Sequence, residues 1–211
     1  MSLRVGMVAR TLNLHHIRGT GRYVQELLRN TTPSDGIDWV AYGLDPGKPL
    51  HLPTGFAGKT NVFDFRDDRF RLWEQLGLPL RAQRAGVQVL HCADNTAPVW
   101  QPMPTVVTIH DTVPWVEEMP DRLTHFYMHP VQRAAFKRCA AIITISENSR
   151  RDIEARWPEV SGWSSFRTAL PMTSSVTTAP RCPPTSCAAW VGRRTSSTWA
   201  DHKPVSDSTG R

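Results

Sequence analysis

Only four cysteines occur in the 211 residues, at Cys92, Cys139, Cys182 and Cys187, and no two form a Cys-x-x-Cys pair. Cys182 and Cys187 have no His or further Cys at metal-ligand spacing, so buried or free thiols are expected rather than zinc. No apolar run reaches the roughly 18 residues that a membrane-spanning helix needs. The amino terminus enters a strand-like segment at once, with no basic region ahead of an apolar stretch, which argues against a secretory signal. A cytoplasmic protein is the expectation. Acidic residues are fewer than basic ones, 19 against 25, for a net charge of +6. Residues 159–211 hold six of those bases and three of the acids, so half of the excess lies in the last quarter of the chain. No basic stripe interleaved with aromatics precedes it, and nucleic acid is not an expected partner. The hydrophobic share of 40% is adequate for one core.

Residues 1–158 read as strands alternating with helices. Leu3 to Ala9 is a short apolar run of the kind a buried parallel strand requires. Gly19-Thr20-Gly21 follows, and then Tyr23, Val24, Leu27 and Leu28 fall on one helical face. Ile37 to Tyr42, Asn61 to Phe65, Val87 to His91 and Thr105 to His110 are further strand candidates, the last mostly β-branched. Arg69 to Arg84 reads as a helix interrupted near Gly77 and Pro79, and Leu123 to Arg138 as another helical stretch. Ala140 to Ile145 makes a strand, after which Ser146 is placed to cap a helix beginning at Glu147. This alternation predicts an α/β fold with a doubly wound, Rossmann-like parallel sheet.

Beyond Pro158 the character changes. Ser and Thr make up about a third of residues 159–211, with no helix or strand period, and the tract reads as an irregular tail. Its Trp163, Trp190 and Trp199 do not suit a flexible linker, which is ordinarily poor in aromatics. Trp is encoded only by TGG and Ser commonly by TCN. Read one base earlier, the codons for Trp163-Ser164 give a Val, and those around them permit Val-Val-Val-Val-Pro-His-Gly-Ile. That is a strand followed by a turn, as an αβα chain demands after a helix. Residues 159–211 are therefore expected to be an out-of-frame reading.

Several residues could carry chemistry. Glycines at Gly19 and Gly21, opening a helix after the first strand, allow close backbone approach, and free N–H groups there attract phosphate. The pattern is not Gly-x-Gly-x-x-Gly, since position 24 is Val, and a plain strand-to-helix turn explains it equally well. A dinucleotide dehydrogenase would want an acid closing the second strand, whereas Asp45 comes late. His110-Asp111 closes the strongest strand, at the edge where such sheets bind ligands. Asp94 and Asn95 end the preceding strand and can hydrogen-bond sugar hydroxyls, or simply make a turn. Ser146 lies at the same edge, primarily as a cap. His15 and His16 are read as solvated loop residues.

Taken in order, Val5 to Arg10, Gly19-Thr20-Gly21-Arg22-Tyr23, Trp73-Glu74-Gln75 with Leu78-Pro79, Val89-Leu90-His91 with Pro98, Val106 to Asp111, and Ile142 to Ser149 with Arg151-Asp152-Ile153 resemble one family. It is the N-terminal, acceptor-side domain of glycosyltransferase family 4, over roughly residues 3–157. The resemblance implies a retaining, NDP-sugar-dependent enzyme of the GT-B type, with two Rossmann-like domains facing across a cleft. Mannosyltransferases of cell-envelope and polysaccharide assembly belong to this group. It implies that Gly19, Thr20, Gly21 and Arg22 lie near the donor diphosphate. His110 would contact the transferred sugar or stabilise the reacting centre, and Asp111 would position it or the acceptor. Asn95 and Ser146 would line the acceptor side. The partners implied are an NDP-sugar, serving as co-substrate with no further cofactor or metal, and a glycan or lipid-linked acceptor that leaves room for peripheral membrane association. The family's nucleotide-sugar clamp, a basic pair and a Glu-x7-Glu motif in the second domain, is not found after residue 160. A truncated or frame-shifted chain with little transferase activity is the resulting expectation. The alternatives are a non-catalytic nucleotide or sugar-phosphate binding module and a basic interaction protein with an Arg- and Ser-rich tail. Sequencing the encoding DNA checks the frame: codons for Trp163 to Ala169 that cannot yield the Val-rich strand in the neighbouring frame would dismiss it.

Overall fold

The computed structural model describes residues 2–31, 36–64, 70–116, 121–161 and 166–168. Seven strands form one parallel sheet: β1 (Leu3–Val8), β2 (Ile37–Gly43), β3 (Lys59–Val62), β4 (Val89–Cys92), β5 (Thr105–Ile109), β6 (Ala141–Thr144) and β7 (Phe166–Thr168). Their order across the sheet is β3-β2-β1-β4-β5-β6-β7, every neighbouring pair being parallel. The chain thus builds outward from β1 on one side and then returns to continue from β1 on the other. This is the doubly wound, Rossmann-like arrangement, with its switch point between β1 and β4.

Side-chain alternation explains the layering, because successive residues of a strand face opposite sides. Val5, Met7 and Ala9, with Trp39 and Ala41 of β2, pack on one face against Leu12 and against Val24 and Leu28 of α1 (Gly19–Arg29). Val8, Val40 and Tyr42 face the other side, where Trp73, Leu78 and Ala82 cover them. Those three residues belong to one continuous helical stretch, residues 71–84, made of a π segment (Trp73–Gly77) and α2 (Leu78–Arg84). The predicted interruption at Gly77 and Pro79 is thus not a break. Proline lacks the N–H an ordinary turn needs and crowds the carbonyl four residues back. Here the turn ahead of it widens, with the Leu78 N–H bonded to the Trp73 carbonyl.

After the short α3 (Val113–Val116), the second helical stretch repeats the device. It runs through α4 (Arg122–Phe126), a π segment (Tyr127–Val131) that contains Pro130, and α5 (Gln132–Phe136). Asp121 caps α4, accepting the Thr124 N–H at 2.8 Å. The chain then passes through α6 (Glu147–Arg156) and α7 (Pro158–Ser161) to β7. Trp115, Phe136 and Trp157 meet edge to face, with ring centroids 5.2–5.8 Å apart, and seal this side of the sheet.

The predicted strands correspond to β1, β2, β4, β5 and β6 with ends moved by a residue or two, whereas the predicted strand Asn61 to Phe65 shares only Asn61 and Val62 with β3. Phe65 and Arg69, at two predicted boundaries, lie outside the described residues, as do Trp163, Cys182, Cys187, Trp190 and Trp199. Two short elements, α7 and β7, contain residues past Pro158, and the rest of the predicted irregular tail, from 169 on, lies outside the description. No helix among the described residues is long and apolar enough to cross a membrane.

Gly19 and Gly21 are not a loop before a helix but the first turn of α1 itself, and the two differ. A Cβ at Gly21 would meet Ile17 Cγ2 at 2.7 Å, whereas one at Gly19 would meet nothing within 4 Å. Gly21 is therefore needed for close packing, and Gly19 is free to serve the exposed helix end. Gly21→Ala should lower stability by about 1–3 kcal/mol, since Ile17 is β-branched and stiff. Gly19→Ala should instead raise it by about 0.4–1 kcal/mol through the unfolded chain. Urea unfolding measures both, and equal midpoints for the two variants would contradict the packing argument.

Candidate functional site

In a parallel sheet all strands end at one rim, and ligands bind there at the switch point. The segments leaving β1, β4, β5 and β6 at this rim contain Arg10, the run 93–95, His110-Asp111 and Ser146 respectively. Beside them lies the first turn of α1. Its opening N–H groups have no partner within the helix, and no side chain caps it. Tyr23, two residues beyond Gly21, packs edge to face on the His110 ring with centroids 5.1 Å apart. The amino-terminal end of α1 thus meets the rim at His110 through Tyr23.

His110 is held from two sides. Its Nε2 lies 3.0 Å from the Ala93 carbonyl, and its backbone N–H donates to Asn95 Oδ1 at 2.7 Å. A carbonyl can only accept, so Nε2 carries the proton, and Nδ1 of the neutral ring is an acceptor. Asn95 has φ of 58°, a left-handed conformation that Asn tolerates better than most residues. Its N–H donates to the Thr108 carbonyl at 3.1 Å. Asn95 thus serves first to fix His110, a role not visible in its sequence position.

Asp111 is exposed, and its Oδ1 accepts the Val113 N–H at 3.2 Å at the start of α3. Among the described residues it makes no hydrogen bond to His110, so the ring is oriented by Ala93 and not by its neighbour in sequence. Ser146 caps α6, its hydroxyl accepting the Ser149 N–H at 3.1 Å. Thr20 is half-buried, Arg22 is exposed on α1, and His15 and His16 are exposed.

Three participants were not among the predicted site residues. Arg10 pairs with Asp94, and its guanidinium lies 4.0 Å from the Phe70 ring centroid. Burial raises the Asp94 carboxyl above its usual range while Arg10 pulls it down. Tyr23 is the second, its hydroxyl 3.3 Å from Thr108 Oγ1. The third is Glu74, 1% exposed, whose carboxyl is also pushed up by burial. All three stood inside the family segments, but only the fold brings Arg10 against Asp94, Tyr23 against His110 and Glu74 against Thr96.

Beneath the rim, His91 Nε2 lies 2.8 Å from Thr108 Oγ1. Burial, reinforced by the nearby His110, lowers its pKa to about 4. The ring is thus neutral at neutral pH. Cys92, next in β4, is a buried thiol pushed well above its ordinary pKa, which makes it unreactive. Among the described residues no group of three or more His, Cys, Asp or Glu could hold a metal ion.

The histidine has a measurable consequence. Its folded pKa is below the unfolded value of about 6.5, so between pH 6.5 and 4 the unfolded chain binds more protons and stability is lost as the pH is lowered. Wild type should lose about 3 kcal/mol over that window relative to His91→Gln. Urea unfolding at pH 7 and pH 4 checks this, and parallel pH profiles would contradict it.

No curated protein sequence matches the chain. A family profile described as Glycosyltransferase Family 4 matches residues 17–161, a span that includes α1, the rim of β4 and β5, and the α6 helix. That match covers more than half of the 211 residues, and its span holds β2 to β6 with the segments that leave β4, β5 and β6 at the rim; the chain belongs to glycosyltransferase family 4.

Proposed function

We propose that the rim at the β1/β4 switch point is the acceptor-side wall of a sugar-transfer site, taking a sugar (mannose is one candidate) from an NDP-sugar to a glycan or lipid-linked acceptor. The observation that carries this is the Tyr23–His110 contact, which joins an anion-attracting helix end to a fixed imidazole at a single corner. In such a reaction the bond between the anomeric carbon and the diphosphate oxygen breaks. A bond to the acceptor oxygen forms, and the NDP leaves with the bonding pair while its freed diphosphate oxygen takes the proton of the acceptor hydroxyl. The N–H groups of Gly19, Thr20 and Gly21, with Arg22 nearby, suit the departing negative charge. His110, protonated at Nε2, offers Nδ1 to a sugar hydroxyl. Asp94, paired with Arg10, and the outer oxygen of Asp111 are acceptors for the hydroxyls of the sugar being received.

Residues 1–158 are proposed as this acceptor-side domain. The sequence contains no Glu after residue 160, hence no Glu-x7-Glu clamp there. Catalysis of this type depends on holding donor and acceptor together and stabilising the leaving group. Most donor affinity then lies outside residues 1–158, and the 211-residue chain turns over little or not at all. A non-catalytic nucleotide or sugar-phosphate module, using the first turn of α1 alone, would behave differently. Ligand present at or below its Kd adds at most about 0.4 kcal/mol, about 1 °C in Tm for a chain of this size. Thermal shift with NDP-sugars and free nucleotides, together with NDP release, should show a shift no larger than this and negligible turnover. Robust turnover would refute the missing-clamp argument, and a large nucleotide-dependent shift would favour the binding module.

A further inference from the structure

The polar network around Glu74 is more elaborate than the contact between two helices requires. Glu74 lies in the first π segment, and its Oε1 accepts the Thr96 hydroxyl at 2.5 Å. Oε2 accepts the Tyr127 hydroxyl from the second π segment, and also Gln75 Nε2 at 3.3 Å and Gln132 Nε2 at 3.4 Å. The two amides reach onward to the segment that follows β4. Gln132 Oε1 accepts the Ala97 N–H at 2.9 Å, while Gln75 donates to the Ala97 carbonyl at 3.2 Å and accepts the Val99 N–H at 2.8 Å. The two amide N–H groups can only donate, while the Thr96 and Tyr127 hydroxyls donate to the carboxyl and can also accept, so a carboxylate satisfies all four and a glutamine forces at least one hydroxyl to turn.

Burying a carboxyl among helices is costly unless it is fully hydrogen-bonded. Apolar side chains would pack the same helices without that cost. What the carboxyl supplies is a fixed Thr96, the residue directly after Asn95. Asn95 in turn receives the His110 N–H, and Ala93 receives its ring. Both helices carry their π segment where they meet this network, and π segments recur at functional sites because they re-aim side chains.

We infer that Glu74 is a positioning residue, which through Thr96 and the segment 93–97 fixes the orientation of His110 at the rim. Its consequence for catalysis rests on the transferase reading above, but the geometry is readable without any substrate.

Long-range proton–nitrogen correlation of the histidine rings in the full chain provides the test, with His110→Gln assigning the signal. In Glu74→Gln, Thr96→Val and Tyr127→Phe, the variants that keep native circular dichroism and cooperative unfolding should lose the pattern of a ring protonated at Nε2. His110 should average between tautomers, while the loop residues His15 and His16 keep their signals. An unchanged His110 pattern in the folded variants would overturn the inference. So would unfolding of all three, which would make the network a stability element and nothing more. Absence of sugar transfer bears on the proposed function alone, because the ring signal is recorded with no donor or acceptor present.

Discussion

A stretch of buried backbone without regular structure, residues 93–99, is the constraint around which the rest of the rim is arranged. It crosses from β4 to β5 beside the switch point and belongs to no strand or helix whose regular ladder would pair its N–H and C=O groups. Buried main-chain polar groups must be paired. Side chains from distant parts of the sequence, Gln75 and Gln132, pair Ala97 and Val99, while the Asn95 N–H bonds to the Thr108 carbonyl of β5. Ala93 and Asn95 then hold His110. Satisfying the backbone and orienting the imidazole are therefore one arrangement.

The two faces of the sheet divide the work. α1, with Leu12 and Ile17 ahead of it, packs over Val5, Met7, Ala9, Trp39 and Ala41, and carries both the anion-attracting first turn and the Tyr23 ring. The opposite face holds the two helical stretches with their π segments and the aromatic trio of Trp115, Phe136 and Trp157. The first stretch joins β3 to β4 and the second joins β5 to β6, so the helices on that face brace the rim between them.

Strand runs of β-branched and aliphatic residues gave β1, β2, β4, β5 and β6 nearly to their ends, since a strand buried on both faces leaves a continuous apolar signature; β3, the edge strand Lys-Thr-Asn-Val, is half-exposed and was placed late for want of one. The Ser146 cap was equally readable, being a local interaction of a hydroxyl with an N–H three residues on. Glycosyltransferase family 4 could be named from ordered motifs, and the parallel sheet was legible with it. Helix 71–84 was misjudged at Pro79 because the compensation is a widened turn, which leaves no periodic trace in residue types. The orientation of His110 was hidden for a different reason. Asp111 is its neighbour in sequence, but the groups that hold the ring come from β4's far end, and adjacency in the chain said nothing about that. Glu74 and Arg10 were likewise invisible as site residues, since a buried carboxyl and a rim guanidinium acquire meaning only through partners 20 or more positions away.

The π segments carry one residue more than an α-helix would need over the same number of turns. Removing any single residue between Trp73 and Gly77 would restore an ordinary, well-bonded helix. The residues on either side would keep their azimuth, because the extra residue is taken up within a single widened turn. Phe70 would stay by the Arg10 guanidinium and Arg71 by Thr124, while Glu74 and Gln75, inside the turn, would lose their aim at Thr96 and Ala97. The extra residue is thus kept for aim, not for span: evolution can exchange side chains elsewhere along 71–84 more readily than it can drop one from this turn.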